Sequence, residues 1–384
     1  MTERPRDIVC IATRRLDNPM PTNVQHLMLR LAERRRVLYV EPPVDPVFLV
    51  RRGRDPRGET AVQTSNQMHV LSPIVLPWAH RSKAIAALNQ RLLVAQIRRR
   101  RRRLAFERPL LWLFSPRQAG MIGRLGEAAV CYHITDDYKA MPGAATAAAR
   151  SRLVADEQTV LQAARHVFIT SRRLAEDRGL SGERFHVIPN VADVDHFGAA
   201  LRPETRVAEE MAAIGGPIAG FVGAVDDYKI DFELLAAAAR RTPEISWVLI
   251  GPVGWADPTT VPPQLRLPNV HLIGPRPYRS LPAYVKAFSV ALIPYRINEY
   301  TRYCSPLKLY EYLAAGVGVV ATDLPALREA GDLVTIASDP ESFAVAVRTR
   351  LEDDDGLRRA RIDLAARNSW SRRIEEIEAI LCES

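Results

Sequence analysis

Cysteine is scarce in this sequence. Four occur in 384 residues (Cys10, Cys131, Cys304 and Cys382), far apart, with no CxxC pair and no metal-ligand spacing. That argues against a disulfide framework and a structural zinc site, and fits a reducing cytosol. Long apolar runs are lacking too: no stretch approaches the roughly 18–20 apolar residues that a membrane span requires. The first ten residues, MTERPRDIVC, carry charges and then a short apolar run without a cleavage-site pattern, which argues against a signal peptide. Apart from one arginine run there is no low-complexity segment and no short-period repeat. Disorder is excluded as well, because 47% hydrophobic and 25% charged residues are ordinary globular values.

The length gives two or three domains at about 150 residues each. Lys plus Arg number 53 against 44 Asp plus Glu, a net charge of +9 that suggests anionic partners without choosing among them. Strand-length apolar runs at Asp7–Ala12, Arg36–Glu41, Met68–Leu71, Leu110–Phe114, Ala129–His133 and His166–Thr170 alternate with helical patterns, among them Asn23–Glu33, Arg81–Arg103 and Ala148–Ala164. The second half repeats the scheme from Ile218–Val222 to Leu333–Ile336. Such alternation predicts an α/β fold of two doubly wound, Rossmann-like domains facing across a cleft. The expected divisions are residues 1–200 for the first domain and 217–364 for the second. Residues 365–384 are expected to form a closing helix that crosses back to the first. Leu201–Pro217, ending Gly-Gly-Pro, is the linker candidate.

The segment Thr301–Thr322, TRYCSPLKLYEYLAAGVGVVAT, holds the most chemistry. Ser305 suits an N-cap, Pro306 the first helical position and Gly316 the stop, which predicts a helix of about three turns. Its N-terminus would leave N–H groups at Leu307 and Lys308 for a phosphate, with Lys308 adding charge. Glu311 follows one turn on, where a carboxylate can accept from two vicinal hydroxyls. The plain alternative is a capped core helix with a Lys308–Glu311 pair.

SPLKLYEYLAAG followed by VVATDLPALRE resembles the donor-site signature of retaining glycosyltransferases of the GT-B fold, family 4 type. HVIPNVADVDHF, GFVGAVDDYKID, NVHLIG and YVKAFSVALIP resemble further motifs of that family, in the same order. The likeness covers Val130 to Thr322 well and the first hundred residues weakly. It implies that Glu311 holds a ribose and that the Leu307 and Lys308 N–H groups cradle the distal phosphate of a nucleotide-sugar. It implies that Lys229 neutralises the leaving diphosphate, that Gly223 lets its loop approach the phosphates, and that His133 lines the sugar pocket. Catalysis would then be stabilisation of leaving-group charge, with no essential metal or other cofactor.

The sequence also departs from the pattern. Tyr303 stands where a sugar-contacting glutamate is expected, with Glu299 as a substitute a few residues earlier. Ala224 replaces an arginine, leaving Lys229 alone or with Arg296 or Arg302. Gly318 replaces a proline, read as a change of turn. The N-terminal segment ATRRLDNPMPTN lacks the glycines of the acceptor loop. In His133–Gly143, Asp136 and Asp137 follow a strand end; they either cap a turn or act on the acceptor side. His133 alone is equally open to a structural reading.

Arg98, Arg99, Arg100, Arg101, Arg102 and Arg103 close a helix whose Ile85, Leu88, Leu92 and Ala95 share a face. The run reads either as a solvated basic end or as attachment to an anionic membrane. No nucleic-acid motif accompanies it. The expectation is a cytoplasmic glycosyltransferase, peripheral at the inner face of the membrane. It would act on a hydroxyl acceptor, lipid-linked in one version, in bacterial polysaccharide or lipid-linked saccharide assembly. A nucleotide-sugar epimerase and an inactive scaffold of the same fold are the alternatives.

Overall fold

The structure is a computed structural model that describes residues 7–47, 67–79, 81–141, 146–253 and 261–382. Pro142 and Gly143 of the His133–Gly143 segment lie outside the described residues. The chain forms two compact units: Met1–Ile188 with Glu376–Ser384, and Pro189–Glu375.

Unit 1 is built on a seven-stranded sheet: β1 (Ile8–Ile11), β2 (Val37–Val40), β3 (Met68–Leu71), β4 (Leu110–Leu113), β5 (Ala129–Ile134), β6 (Ala164–Ile169) and β7 (Phe185–Val187), in the order β3-β2-β1-β4-β5-β6-β7. All its pairs are parallel. IVCI, VLYV and LLWL are buried at every position, as expected of parallel strands covered on both faces. β7 was not foreseen, because it is only three half-buried residues long and two of them, His186 and Val187, open the HVIPN motif.

Unit 2 carries a six-stranded parallel sheet: β8 (Ile218–Val222), β9 (Ser246–Ile250), β10 (Val270–Leu272), β11 (Val290–Ile293), β12 (Gly318–Ala321) and β13 (Val334–Ile336). Its order is β10-β9-β8-β11-β12-β13, so the chain winds outward from β8, then returns to continue from β11. The β8/β11 boundary is the topological switch point, where ligands of such sheets bind beyond the strand C-termini.

Three sequence expectations change. Residues 189–200 belong to unit 2, because Phe197 and Ala200 are buried in its core. Leu201–Pro217 is likewise no linker: it contains the Glu209–Ala212 helix, with Met211 buried and Glu210 paired to Arg276 at 2.6 Å. The closing stretch is two helices, Asp355–Arg367 and Trp370–Cys382. Asn368 ends the first by donating its side-chain amide to the Leu364 carbonyl (2.9 Å), and Ser369 forms a bridge with Ala192.

Gly318 does not alter a turn either. The left-handed turn belongs to Gly316 (φ 72°), whereas Gly318 opens β12. A Cβ at Gly318 would lie 2.5 Å from an Asp353 carboxylate oxygen and 3.3 Å from the Arg361 guanidinium. The glycine makes room for a buried ion cluster of Asp353, Arg361 and Arg350.

Among the described residues no helix is long and apolar enough to cross a membrane.

Candidate active site

The Leu307–Ala314 helix follows β11 at the switch point and buries Leu309, Tyr312 and Leu313. It has eight residues, close to two turns rather than three. Pro306, in extended geometry, is the N-cap, and no side chain caps the helix. Ser305 is therefore not the cap: Pro306 itself has ψ 119°, outside the helical region, so the helix starts one residue later. The Ser305 carbonyl instead accepts from the Asn190 side chain at 2.7 Å. The backbone N–H groups of Leu307 and Lys308 lie in the first turn, where no earlier helical carbonyl can reach them. Gly316 ends the helix as foreseen. Its N–H donates to Leu313 and that of Val317 to Tyr312, a double closure that a positive φ permits.

The loop after β8 presses directly on this helix. Gly223 has φ 148°, and a Cβ there would lie 2.4 Å from Lys308 Cε and 2.7 Å from its Nζ. Gly251, after β9, has φ 150°, and a Cβ there would meet the Gly223 carbonyl oxygen at 2.0 Å. Both glycines are thus required by close approach as well as by dihedral. The Lys308 ammonium stands 5.4 Å over the Phe221 ring. Tyr312 fastens helix to strand, since its buried hydroxyl oxygen accepts the Val222 N–H at 2.8 Å. Tyr312 and Gly251 escaped the sequence reading. Tyr312 is indistinguishable there from any aromatic on a helix's apolar face.

Lys229 comes to the same edge from the β8 loop. Its ammonium lies 5.0 Å from the Tyr295 ring centre and 5.9 Å from that of Tyr300, both just beyond β11. The Lys229 carbonyl accepts the Arg296 N–H (2.8 Å), and Ile230 bridges to Tyr295, so the two loops are tied together. Asn298 completes the tie, donating to the Tyr228 carbonyl at 2.7 Å and accepting from the Tyr300 and Thr301 N–H groups. Asp226 is a further residue the sequence reading missed. It is buried, and burial raises its carboxyl above the ordinary range against the opposing charge of Lys229.

Glu311 is half-buried on the first turns of the helix. Desolvation pushes its carboxyl up to about 7; Lys308 pulls it down and Asp193 pushes it further up. It is therefore poised between a proton donor and a hydroxyl acceptor near neutral pH. Glu299, Arg296 and Arg302 are exposed, and the Arg302 guanidinium lies over the half-buried Tyr303 ring at 5.6 Å.

The remaining sequence candidates lie in unit 1. His133 has no accessible surface. Its ring stacks on Phe114 at 5.3 Å and packs against Phe168 at 5.7 Å, in a row that continues to His186. Adjacent parallel strands place same-face side chains side by side, which makes His133 part of the aromatic packing rather than a lining residue. Asp137 is the turn cap of the plainer alternative. Its carboxylate accepts the Lys139 N–H at 3.1 Å and pairs with Arg178 at 2.5 Å. Arg178 also binds Glu157, a second buried carboxylate. Asp136 is half-buried, and its charge helps to raise the Tyr138 hydroxyl above its ordinary value, behind the larger effect of burial. The glycine-free loop after β1 is shaped by the buried Glu41, which accepts the Leu16 N–H (2.9 Å) and pairs with Arg15 (3.0 Å).

Residues 216–353 match the family model described as glycosyl transferases group 1. TuaH of Bacillus subtilis (strain 168), named as a teichuronic acid biosynthesis glycosyltransferase, is 31% identical over 144 residues. That match spans 37% of this chain and 35% of the relative's own length. Among solved structures, sucrose-phosphate synthase from Thermosynechococcus elongatus superposes with a TM-score of 0.73 at 15% identity, covering 98% of both chains. Anabaena Alr3699/HepE in complex with UDP-glucose gives 0.68 at 14% identity, over 98% of this chain and all of the other. The fold is the GT-B fold, and residues 216–353 are the part of the chain that is similar to the glycosyl transferases group 1 family.

Proposed function

We propose that this chain is a retaining glycosyltransferase that moves a sugar from a nucleoside-diphosphate sugar to a hydroxyl acceptor. One observation carries the reading: at the β8/β11 switch, the Gly223 backbone packs on Lys308 in the first turn of the Leu307–Ala314 helix, with Lys229 on the adjoining loop. In this reading the Leu307 and Lys308 N–H groups and the Lys308 ammonium hold the distal phosphate. Glu311 accepts from the ribose hydroxyls. Lys229 neutralises the charge that builds on the diphosphate as the bond from the anomeric carbon to phosphate oxygen breaks. The acceptor oxygen bonds to the same face of that carbon, and its proton passes to the leaving phosphate. The reading assigns no essential metal, so nucleotide binding is expected to persist in EDTA.

The setting we propose is saccharide assembly at the inner face of the cytoplasmic membrane. TuaH's name, a teichuronic acid biosynthesis glycosyltransferase, supports the saccharide assembly, and the basic helix end in unit 1 supports the membrane face. UDP is the first diphosphate to test, because the Anabaena protein was solved with UDP-glucose. Thermal shifts with UDP, GDP, ADP, CDP and dTDP, on wild type and Glu311→Ala, test the reading. A diphosphate at one hundred times its Kd adds about 2.7 kcal/mol of stability. One diphosphate should raise the midpoint and the variant should lose the response. No response to any at millimolar concentration overturns the reading, and conversion of donor to its epimer without acceptor would replace it with the isomerase.

A further inference from the structure

Beside the arginine run, unit 1 carries a ridge of exposed apolar side chains. After β3 the chain runs along the Lys83–Arg103 helix, and two side-chain amides of that helix fasten it. Asn89 accepts the Leu76 N–H and donates to the Leu76 carbonyl, both at 2.8 Å. Gln96, two turns on along the same face, does likewise for Ile74 at 3.1 and 2.9 Å. Val44 holds the other edge, donating to the Pro73 carbonyl and accepting from Val75, both at 3.0 Å. With its backbone groups taken up at alternate residues, the segment turns Ile74, Leu76 and Trp78 outward, 41%, 42% and 55% exposed.

Trp78 has φ 62°, a conformation costly for a bulky residue. Leu88, next to Asn89, is 44% exposed. Ile85, Leu88, Leu92 and Ala95 share one face by their spacing, yet the helix buries Asn89, Val94 and Ile97 instead. Single exposed hydrophobics are normal, but a fastened strip of them marks an interaction surface.

The strip leads into cations. Arg99, Arg100 and Arg103 continue the helix face of Asn89 and Gln96, one to two turns beyond the Ile74 contact. Arg98 and Arg101 are tethered to the carbonyls of Arg124 (2.5 Å) and Gly126 (3.4 Å). Arg99, Arg102 and Arg103 remain exposed. Apolar ridge and guanidinium cluster thus share about 22 Å of one helix.

We propose that this face docks on an anionic lipid surface. Ile74, Leu76, Trp78 and Leu88 enter the headgroup–acyl boundary, and Arg99, Arg102 and Arg103 meet lipid phosphates. The amphipathic indole suits that boundary, and guanidinium suits phosphate. Cations near such a surface add attraction that apolar insertion alone lacks, and stable attachment needs both signals. A nucleic acid would use the cations and leave the ridge idle. The proposal rests on the transferase reading only for its purpose; binding itself is measured without donor or acceptor.

The test is co-sedimentation of the full chain with vesicles of equimolar phosphatidylcholine and phosphatidylglycerol, against phosphatidylcholine alone. Wild type should sediment with the anionic vesicles only, with a blue-shifted tryptophan emission that Trp78→Phe lacks. Leu76→Ser/Trp78→Ser and Arg99→Glu/Arg102→Glu should each weaken partition about tenfold or more, at unchanged melting midpoint and diphosphate response. No sedimentation of wild type overturns the proposal, as does full binding by the apolar double variant. Should that variant misfold, Trp78→Phe decides: an emission shift identical to wild type overturns it. Displacement of the protein from vesicles by duplex DNA, with the apolar variants indifferent, would assign the face to nucleic acid instead.

Discussion

At the scale of single residues, Glu311 and Gly223 make the most exposed claims. Glu311's carboxyl, raised to about 7 by burial, binds its proton more tightly in the folded protein than in the unfolded chain. Its contribution to stability is therefore full below about pH 4 and is lost as the pH rises through about 7. Glu311→Gln should raise the melting midpoint relative to wild type at about pH 8 and leave it little changed near pH 4. To accept from both ribose hydroxyls Glu311 must be ionised, so diphosphate affinity should fall on acidification from about pH 8 to pH 6, with net proton release on binding seen by calorimetry in buffers of different ionisation enthalpy. Gly223→Ala would push its Cβ into Lys308 and should weaken diphosphate binding about tenfold with little change in nucleoside affinity. Glu311, Lys308, Lys229 and Gly223 stand out as candidates in the sequence because their types and order suit phosphate and hydroxyl binding, and the structure packs Gly223 against Lys308. The surroundings of His133 and Asp137 were not legible there, because only packing shows that one ring is enclosed by Phe114 and Phe168 and that one carboxylate is taken by Arg178.

At the scale of elements, the site depends on how the Leu307–Ala314 helix is held against β8. Tyr312→Phe keeps the apolar packing but leaves the Val222 N–H buried without its acceptor. That should cost about 1–3 kcal/mol in urea unfolding and loosen the Gly223 loop, so diphosphate affinity falls too. Gly318→Ala acts at the start of β12, the strand that follows the helix, where the methyl group meets the Asp353 carboxylate. It should destabilise the protein by about 1–3 kcal/mol through the ion cluster while leaving diphosphate affinity unchanged. The sequence anticipated most elements to within a residue or two, because buried parallel strands are short apolar runs and helices carry caps. Misplaced ends have local causes: Pro306 delays one helix, and Asn368 divides another.

At the scale of the whole molecule, the chain ends where it began: Glu376–Ser384 returns to unit 1. There Arg35 and Glu378 form a two-armed ion pair at 2.7 and 2.6 Å, on side chains only 13% and 15% exposed. Glu378→Ala should cost about 1.5–3 kcal/mol. Scanning calorimetry should show this in the unfolding of unit 1, while a diphosphate raises that of unit 2 in wild type and variant alike. Alternating strands and helices, apolar runs and glycine positions are properties of local chain order, so the sequence alone determined the fold class and singled out the candidate donor-site residues. Strand order, the place where the chain passes from one core to the other, the enclosure of His133 and the outward ridge at Ile74–Trp78 depend on contacts between residues far apart in sequence. Only the tertiary structure decided those, because burial is a property of what a side chain meets and not of the side chain itself.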